Sequence, residues 1–256
     1  MKILIAGYGF VGKAVFNALK EKHELVIIDP SYNSNEIKDH HDADGLIICV
    51  NTPTEEHGII AENIASVLDQ TPIFMPVLIK STVTPAVVDA FKEVYEDYSI
   101  CYSPEFLRAA TANQDFLNQK YVVIGGDDPE YFWQELFQTT LPQCKLVLKC
   151  SEKEACMVKY TANSFLALKV SFFNQIFDIC EKEGLDFEAI RHIVTQDTRI
   201  GASHTMVPGA DYQRGFGGAC FPKDTDALLY WTNTINQPFT ILDEAVKYNR
   251  RIRKNT

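Results

Sequence analysis

The sequence predicts an α/β protein in which a parallel, doubly wound sheet is followed by an all-helical domain. Short β-branched runs alternate with helical patterns up to about residue 150 of the 256-residue chain, and this alternation is typical of a parallel sheet covered by helices. From Ser151 onward the strand-type runs give way to long helical patterns. We therefore expect two domains, residues 1–150 and residues 151–256.

Composition and charge argue against several classes of function. The chain is 46% hydrophobic and 23% charged, as an ordinary globular protein is, and its net charge of −10 argues against nucleic acid or an anionic membrane as a partner. No apolar run reaches the roughly 18 residues of a membrane span, and the first strand leaves no room for a signal peptide. The seven cysteines form no C-x-x-C pair, which favours a reducing, cytoplasmic setting.

Six strand-type runs are expected in the first domain, each short and rich in Val, Ile or Leu. Because helical patterns separate them, they are expected to lie parallel in one sheet. One helix is predicted from Val11 to Lys22 and another at “PAVVDAFKEVYEDY”. The six runs are “KILIAG”, “LVIIDP”, “GLIICVNTP”, “MPVLIKST”, “YSICYSP” and “KYVVIGG”.

One long helix, from Ser151 to Glu183, is predicted to open the second domain. Ser151 and Glu154 have the spacing of a capping box, in which each side chain binds the backbone N–H of the other residue. Gly184 is placed to end the helix. A shorter helix is expected at “DFEAIRHIVTQD”, followed by a glycine-rich polar loop over residues 198–224 and two further helices.

The first predicted strand leads into “GYGFVG”, a G-x-G-x-x-G motif that opens a helix. Such glycines allow a tight turn and a close approach by pyrophosphate, which the helix N-terminus then binds. Asp29, after the second strand, suits a ribose 2′-hydroxyl, so the pattern predicts a Rossmann-type domain that binds NAD rather than NADP. A glycine turn between packed elements is the alternative. The predicted cofactor contacts here are Gly7, Gly9, Phe10, Val11, Gly12 and Asp29.

Lys159 and Asn163 are four residues apart in the predicted long helix, so their side chains share one face. A lysine on a helix is usually solvated, and that is the alternative interpretation here. Beside a nicotinamide, however, a lysine with a neutral donor next to it would stabilise the alkoxide that develops as an alcohol loses hydride.

Cys220 stands in “GFGGACFPKD”, between a glycine-rich turn and a Pro-Lys-Asp. The glycines would let the backbone bend around a ligand, and Lys223 would favour the thiolate. A thiolate adds to an aldehyde to give a thiohemiacetal, which still carries a hydrogen on carbon. A second hydride can therefore leave, and water hydrolyses the resulting thioester. Asp224 would act as a base or orient water, and an inert loop thiol is the alternative.

The stretch “GFGGACFPKD” closely resembles the catalytic-cysteine loop of the UDP-glucose 6-dehydrogenase family, which includes GDP-mannose dehydrogenase. Further segments agree with that family in the same order, so the likeness covers essentially the whole chain. The resemblance implies NAD-dependent oxidation of the C6 alcohol of a nucleotide sugar, UDP-glucose before others, to the uronic acid. These segments are “GYGFVG”, “NTPT”, “KSTVTP”, “SPEFLR”, “KYTANSFLALKVSFFNQ” and “DTRIG”.

The resemblance also implies roles for the matching residues. Cys220 would be the nucleophile, and Lys159 and Asn163 would stabilise the oxyanion. Asp224 would assist proton transfer, and Glu105 would position or deprotonate the hydrolytic water. The remaining implied contacts are Thr52, Thr82 and Lys223 with the cofactor, Thr82 also with water, and Glu105, Phe106, Leu107, Arg108, Lys159, Asn163, Arg199 and Gly217 with the substrate.

Several of these residues also have an alternative interpretation as ordinary structural residues. Glu105 would begin a helix, Thr82 would cap one, and Arg199 would be a surface residue. The family's dimers imply that the helical domain packs against a second copy, while a simple core face explains the same aromatic residues. The phenylalanines concerned are Phe172, Phe173 and Phe177.

Three features depart from the family's pattern. Ala109 stands where a second glutamate is common, and the segment between Arg199 and Cys220 is longer than in UDP-glucose enzymes. The sequence also ends at Thr256, so the family's third, nucleotide-sugar-binding domain is expected to be absent. A dehydrogenase for a smaller hydroxy substrate and a catalytically weak NAD-binding or partner protein remain as competing hypotheses. No metal site is expected, because the six histidines form no H-x-x-x-H pattern.

Overall fold

The computed structural model of the chain describes residues 1–55 and 58–253. They form two compact units. The first unit holds Met1–Glu55 and Ile59–Lys159, and the second holds Gly58 and the described residues from Tyr160 onward. Each unit contains its own part of the predicted site.

The described residues form nine strands, seven of which make the sheet of the first unit. Strands β4 and β5 pair only with each other, as a separate ribbon. The strands are β1 Lys2–Ala6, β2 Glu24–Ile28, β3 Gly45–Ile48, β4 Thr54–Glu55, β5 Gly58–Ile59, β6 Val77–Ile79, β7 Ile100–Tyr102, β8 Tyr121–Gly125 and β9 Leu146–Cys150.

The strand order is β2-β1-β3-β6-β7-β8-β9. All neighbours are parallel except β7 and β8, which pair antiparallel. The prediction of an all-parallel sheet was therefore wrong for its last two strands. The sequence analysis also missed β9, because this edge strand is little buried: Leu146 and Leu148 are both exposed and give no clear apolar pattern.

Alternate residues of the strands enter two separate cores, one on each face of the sheet. Ile3 and Ile5 pack with helices on one face, whereas Leu4 and Ala6 pack with other helices on the opposite face. A sheet whose strands are apolar on both sides must be covered on both sides. The prediction of a doubly wound α/β fold is therefore confirmed.

The sheet order explains where a ligand would bind. β1 lies between β2 and β3, so the chain leaves it first towards one side and later towards the other. A crevice forms at the carboxyl ends of the strands at such a switch point, and ligands of open α/β sheets bind there. The predicted residues Gly7, Asp29, Thr52, Thr82 and Glu105 all follow carboxyl ends of these strands.

Nine α-helices lie within the described residues. Helix α1 ends at Leu19, three residues earlier than predicted, because Leu19 is its last buried residue and a turn follows it. The helices are α1 Phe10–Leu19, α2 Glu62–Leu68, α3 Pro85–Val94, α4 Ala112–Leu117, α5 Phe132–Thr140, α6 Glu152–Glu183, α7 Phe187–Val194, α8 Phe221–Thr234 and α9 Thr240–Ile252.

The long helix α6 begins and ends as predicted. The carboxylate of Glu154 accepts a hydrogen bond from the backbone N–H of Ser151 at 2.8 Å, and the Ser151 hydroxyl accepts one from the N–H of Glu154 at 3.4 Å. Gly184 takes a positive φ of 67°, which a glycine adopts without steric cost. The capping box and the glycine stop are therefore confirmed.

The second unit packs around its own aromatic core. Phe173, Cys180, Phe187 and Val207 are buried together, with Phe177 partly buried against them. Among the described residues, no helix combines the length and the apolar character needed to cross a membrane.

Candidate active site

The three glycines of the first loop each have a separate steric reason. Gly7 has φ of 92°, and a Cβ added there would lie 2.8 Å from the backbone of Cys49. A Cβ on Gly12 would lie 2.0 Å from the carbonyl oxygen of Gly7. A Cβ on Gly9 would meet nothing within 4 Å, so the space beside Gly9 is open to an approaching phosphate. The loop therefore fits a dinucleotide.

The elements around this loop support the same fit. Gly9 is the N-cap of α1, and Phe10 and Val11 form its first turn and pack against the adjoining core. The Asp29 carboxylate accepts hydrogen bonds from the backbone N–H groups of Tyr8 at 2.6 Å and Ser31 at 2.8 Å. These bonds fix the carboxylate beside the loop, and its ribose contact stays a prediction.

Thr52 and Thr82 meet where β3 and β6 end. The buried hydroxyl of Thr52 donates a hydrogen bond of 2.8 Å to the carbonyl oxygen of Thr82. The cap position of α3 is occupied by Thr84, whose side chain makes no capping hydrogen bond. The alternative interpretation of Thr82 as a helix cap was therefore wrong.

Lys159 and Glu105 form a buried ion pair. The Lys159 ammonium donates to the Glu105 carboxylate at 2.8 Å and to the Glu105 carbonyl oxygen at 2.6 Å, and both side chains are about 95% buried. The other carboxylate oxygen accepts the N–H of Leu107 at 2.6 Å. Neither alternative interpretation holds, because Lys159 is not solvated and Glu105 does not begin a helix. Buried charges are tolerated only when paired in this way.

A pocket of the first unit brings Thr82 and Lys159 together. Both residues line it together with Pro104, which directly precedes Glu105. Phe106 lies on another side of the ammonium, with its ring centroid 5.8 Å from the Lys159 nitrogen. Leu107 is buried in the core of one sheet face. The first-unit part of the site is thus a concavity lined by a threonine and by Lys159, whose ammonium is paired with the Glu105 carboxylate.

Lys80, which was not among the predicted site residues, directly follows β6 and is 3% exposed. Its ammonium donates to the Ser103 carbonyl oxygen at 2.9 Å and to the Ser103 hydroxyl at 3.3 Å. Burial lowers the pKa of Lys80 to about 8. A lysine that ends a fully apolar strand run was the available signal, because such a lysine cannot readily reach solvent.

Lys80 gives the stability of the protein a defined pH dependence. Its pKa is about 8 in the fold, against the ordinary lysine value of 10.5, so between these pH values the native state binds fewer protons than the unfolded chain. Stability relative to Lys80→Met is therefore expected to rise with pH across that window, by on the order of 3 kcal/mol. Urea unfolding of both proteins from pH 7 to pH 10 measures the difference. Parallel stability curves would contradict the prediction.

In the second unit, Asp224 is 1% exposed and has two partners. Its carboxylate accepts from the Asn163 amide at 2.6 Å and from the Lys223 ammonium at 2.7 Å. Asn163 is itself 6% exposed. The structure thus brings the predicted site residues Asn163, Lys223 and Asp224 together. Lys223 forms an ion pair with the Asp224 carboxylate.

Cys220 is the N-cap residue of α8, which starts at Phe221. The glycine-rich loop therefore ends four residues earlier than predicted, because Pro222 fits the first turn of a helix and Asp224 already donates its N–H to the Cys220 carbonyl at 2.8 Å. The thiol is half-buried. A helix N-terminus favours an anion, and hence a thiolate.

Three predicted substrate residues have other partners in the structure. Arg108 forms an exposed ion pair with Asp115 at 2.6 Å, which lowers the pKa of that carboxyl. Arg199 is 87% exposed and pairs with Asp197 at 2.5 Å. A Cβ on Gly217 would lie 2.1 Å from the guanidinium of Arg253. Substrate contacts by these residues stay predictions.

Comparison with known proteins identifies relatives of both halves of the chain. Residues 31–140 match the NAD binding domain of the UDP-glucose/GDP-mannose dehydrogenase family, and residues 153–251 match its central domain. The UDP-glucose 6-dehydrogenase YwqF of Bacillus subtilis is 34% identical over 81% of this chain and 48% of its own length. A GDP-mannose 6-dehydrogenase of Pseudomonas putida is 30% identical over 81% of this chain and 50% of its own length.

The fold agrees with these sequence matches. The structure of a UDP-glucose dehydrogenase from the hyperthermophilic archaeon Pyrobaculum islandicum superimposes with a TM-score of 0.84 and 26% identity, covering 98% of this chain and 68% of that one. The chain spans about half the length of the curated relatives it matches.

Proposed function

Because the chain belongs to the UDP-glucose/GDP-mannose dehydrogenase family and carries its NAD-binding domain, we propose that it oxidises the C6 alcohol of a nucleotide sugar to a carboxylate. UDP-glucose is the proposed substrate before GDP-mannose, since several relatives bear the first name. The observation that carries the proposal is Cys220 at the start of α8, one turn before the buried Asp224. A dehydrogenase for a smaller hydroxy substrate has no need of that cysteine.

Bound NAD would supply the hydride acceptor that each of the two oxidations needs, so two NAD would be used per sugar. The chain's own part in binding it is the open space at Gly9, the N-terminus of α1 and the Asp29 carboxylate. Thr52 stabilises the carboxyl ends of β3 and β6 by donating a hydrogen bond to the Thr82 carbonyl oxygen. These groups orient the ligand and undergo no chemical change themselves.

The first oxidation needs stabilisation of the negative charge on the C6 oxygen. Lys159 supplies a buried ammonium, and Asn163 lies one turn further along α6. Ammonium and amide groups that are already held by the fold stabilise developing charge without a cost of reorganisation. We assign them this role.

The second oxidation depends on Cys220. Its thiolate attacks the aldehyde carbon, the C–S bond forms as the carbonyl π bond opens, and the oxygen takes a proton to give a thiohemiacetal. Oxidation of that carbon leaves a thioester, which water cleaves to the acid and the free thiol. Asp224, held by Asn163 and Lys223, would move the proton. Glu105 would accept a proton from the attacking water.

Measuring NADH formation with several nucleotide sugars tests this function. We expect two NADH per UDP-glucose, with GDP-mannose and UDP-N-acetylated sugars as comparisons, and uronic acid as the product. A stoichiometry of one NADH per sugar would favour a simple alcohol dehydrogenase. No turnover on any sugar, with NAD binding intact, would contradict activity of the chain as it stands and favour a binding protein.

We also propose that the helical part forms a homodimer, in the cytoplasm. Of the three phenylalanines considered, Phe173 and Phe177 pack into the core, whereas Phe172 is 58% exposed. Phe165 and Ile179 are 63% and 54% exposed, and all three lie seven residues apart on α6. A seven-residue apolar repeat is the pattern by which two helices pack together.

A single charge among the exposed apolar residues Phe165, Phe172 and Ile179 is expected to weaken the dimer. Phe172→Glu would bring two carboxylates into the proposed interface, so the protein should become monomeric at micromolar concentration. Light scattering coupled to size-exclusion chromatography measures the mass. Tyr212→Glu, at a residue that is 90% exposed outside α6, is the matched control. A wild type that is monomeric at every concentration would contradict the dimer.

A further inference from the structure

The backbone of the loop that leads to Cys220 is held by side chains from two helices. Asn249 of α9 accepts the N–H of Phe216 at 2.7 Å and donates its amide to the Phe216 carbonyl at 2.9 Å. Asn174 of α6 accepts the N–H of Gly215 at 3.1 Å. Both asparagines are at least 98% buried. Backbone groups of a loop usually bind water, and here two buried amides replace it.

Arg253 completes the set at the end of α9. Its guanidinium donates to the carbonyl oxygens of Arg214 at 3.3 Å and Gly215 at 3.1 Å, and forms an ion pair with Asp211. The side chain is only 7% exposed. Asn249 lies on α9 and Arg253 directly follows this helix, so together they bind four backbone groups of the loop.

These contacts explain two of the loop glycines. A Cβ on Gly215 would lie 2.2 Å from the side-chain amide oxygen of Asn249, and one on Gly217 would lie 2.1 Å from the Arg253 guanidinium. The side chains of Asn249 and Arg253 therefore occupy the space beside these two glycines, and the substrate contact of Gly217 stays a prediction. Gly218, with φ of 78° and no atom near its Cβ position, is the glycine beside open space.

The presence of asparagine at position 249 is explained by the loop that it binds and not by the helix in which it lies. A buried position on an amphipathic helix normally takes an apolar residue. An amide is short and offers both a donor and an acceptor, so it can satisfy the N–H and the C=O of one residue together. Its replacement would leave the N–H and the C=O of Phe216 buried without these partners.

The hydrogen bonds that Asn249, Asn174 and Arg253 make to the loop influence Cys220 through side-chain packing. The buried ring of Phe216 lies edge-to-face against Phe221, with ring centroids 6.4 Å apart. Phe221 directly follows Cys220 and is the first residue of α8. Fixing Phe216 therefore fixes the point at which α8 begins, and with it the place of the thiol.

We propose that Asn249 is a positioning residue for Cys220, acting through the backbone and the ring of Phe216. Its effect on turnover rests on the proposed function, whereas its effect on the loop and the thiol does not. No chemical step is assigned to the Asn249 amide itself.

The test compares Asn249→Leu, which removes both hydrogen bonds, with Asn249→Asp. A protonated carboxyl can make both bonds, whereas an ionised one cannot donate to the Phe216 carbonyl. We expect kcat to fall at least tenfold in Asn249→Leu at all pH values, with an unchanged KM for NAD. In Asn249→Asp we expect near wild-type kcat at low pH and loss as pH rises. This pH-dependent rescue also guards against a leucine variant that fails to fold.

Leu242→Ala is the control for a merely structural role, because Leu242 is fully buried on the same helix. It should lower stability and leave kcat unchanged. Hydrogen exchange over residues 214–221 should increase in Asn249→Leu but not in this control. Faster exchange with unchanged kcat would overturn the inference, and so would a flat pH profile for Asn249→Asp.

Failure of the proposed function is distinguishable from failure of this inference. If the wild type forms no NADH with any sugar, the thiol itself is the readout. Alkylation of Cys220 by iodoacetamide, located by mass spectrometry, should be at least fivefold faster in Asn249→Leu, because a loosened loop exposes a half-buried thiol. An unchanged rate would overturn the inference without reference to turnover.

Discussion

Cys220→Ser is expected to lower formation of the uronic acid from the nucleotide sugar by roughly a thousandfold or more. Serine keeps the size of the side chain, but its hydroxyl does not ionise near neutral pH and adds poorly to an aldehyde. The first oxidation does not need the thiol, so the reaction should stop at the aldehyde. Hydroxylamine trapping would detect that aldehyde, and assay of the uronic acid would give the rate.

The matched control for this variant is Cys150→Ser. Cys150 is half-buried like Cys220 but ends β9 in the first unit, so its loss should leave turnover unchanged. Equal rates in wild type and Cys220→Ser would exclude the cysteine mechanism. Loss of NAD binding in Cys220→Ser would point to a folding defect, and the measurement therefore includes NAD titration.

Removing one partner of the Lys159–Glu105 pair is expected to lower the free energy of unfolding by about 3 kcal/mol. Glu105→Gln leaves the ammonium buried without its counter-charge, and Lys159→Met leaves the carboxylate in the same state. An uncompensated buried charge is expensive, whereas removal of both partners costs much less. The double variant should therefore be clearly more stable than the two single losses predict when added together.

Chemical unfolding of the four proteins of this cycle gives the coupling energy. Arg108→Met serves as the control, because the Arg108–Asp115 pair lies in the same unit with an arginine side chain that is 73% exposed. Exposed pairs contribute at most about 1 kcal/mol. If the single and double variants are additive, the ion pair does not stabilise the fold, and the burial argument for Lys159 fails.

The elements that follow simple local rules were predictable from the sequence. The capping box at Ser151, the stop at Gly184 and the glycine loop after β1 depend on neighbouring residues alone, and the structure has them as expected. The reversed pairing of β8 was not predictable, because parallel and antiparallel strands share the same short apolar pattern.

The site was predictable as residue types but not as partners. The four-residue spacing of Lys159 and Asn163 placed them on one helix face, but it could not show that one would meet Glu105 and the other Asp224. Those contacts join segments far apart in the chain. Asn249 was missed for the same reason, since it matters only through a distant backbone group.

The fit between α9 and the glycine loop has an evolutionary consequence. A glycine at 215 leaves space that the side-chain amide oxygen of Asn249 fills, and a glycine at 217 leaves space for the Arg253 guanidinium. A side chain can enter the loop at 215 or 217 only if the side chain that faces it moves away or becomes smaller. Substitutions at 215 and 249, and at 217 and 253, should therefore occur in pairs as such chains diverge, so that the two segments are inherited as one unit.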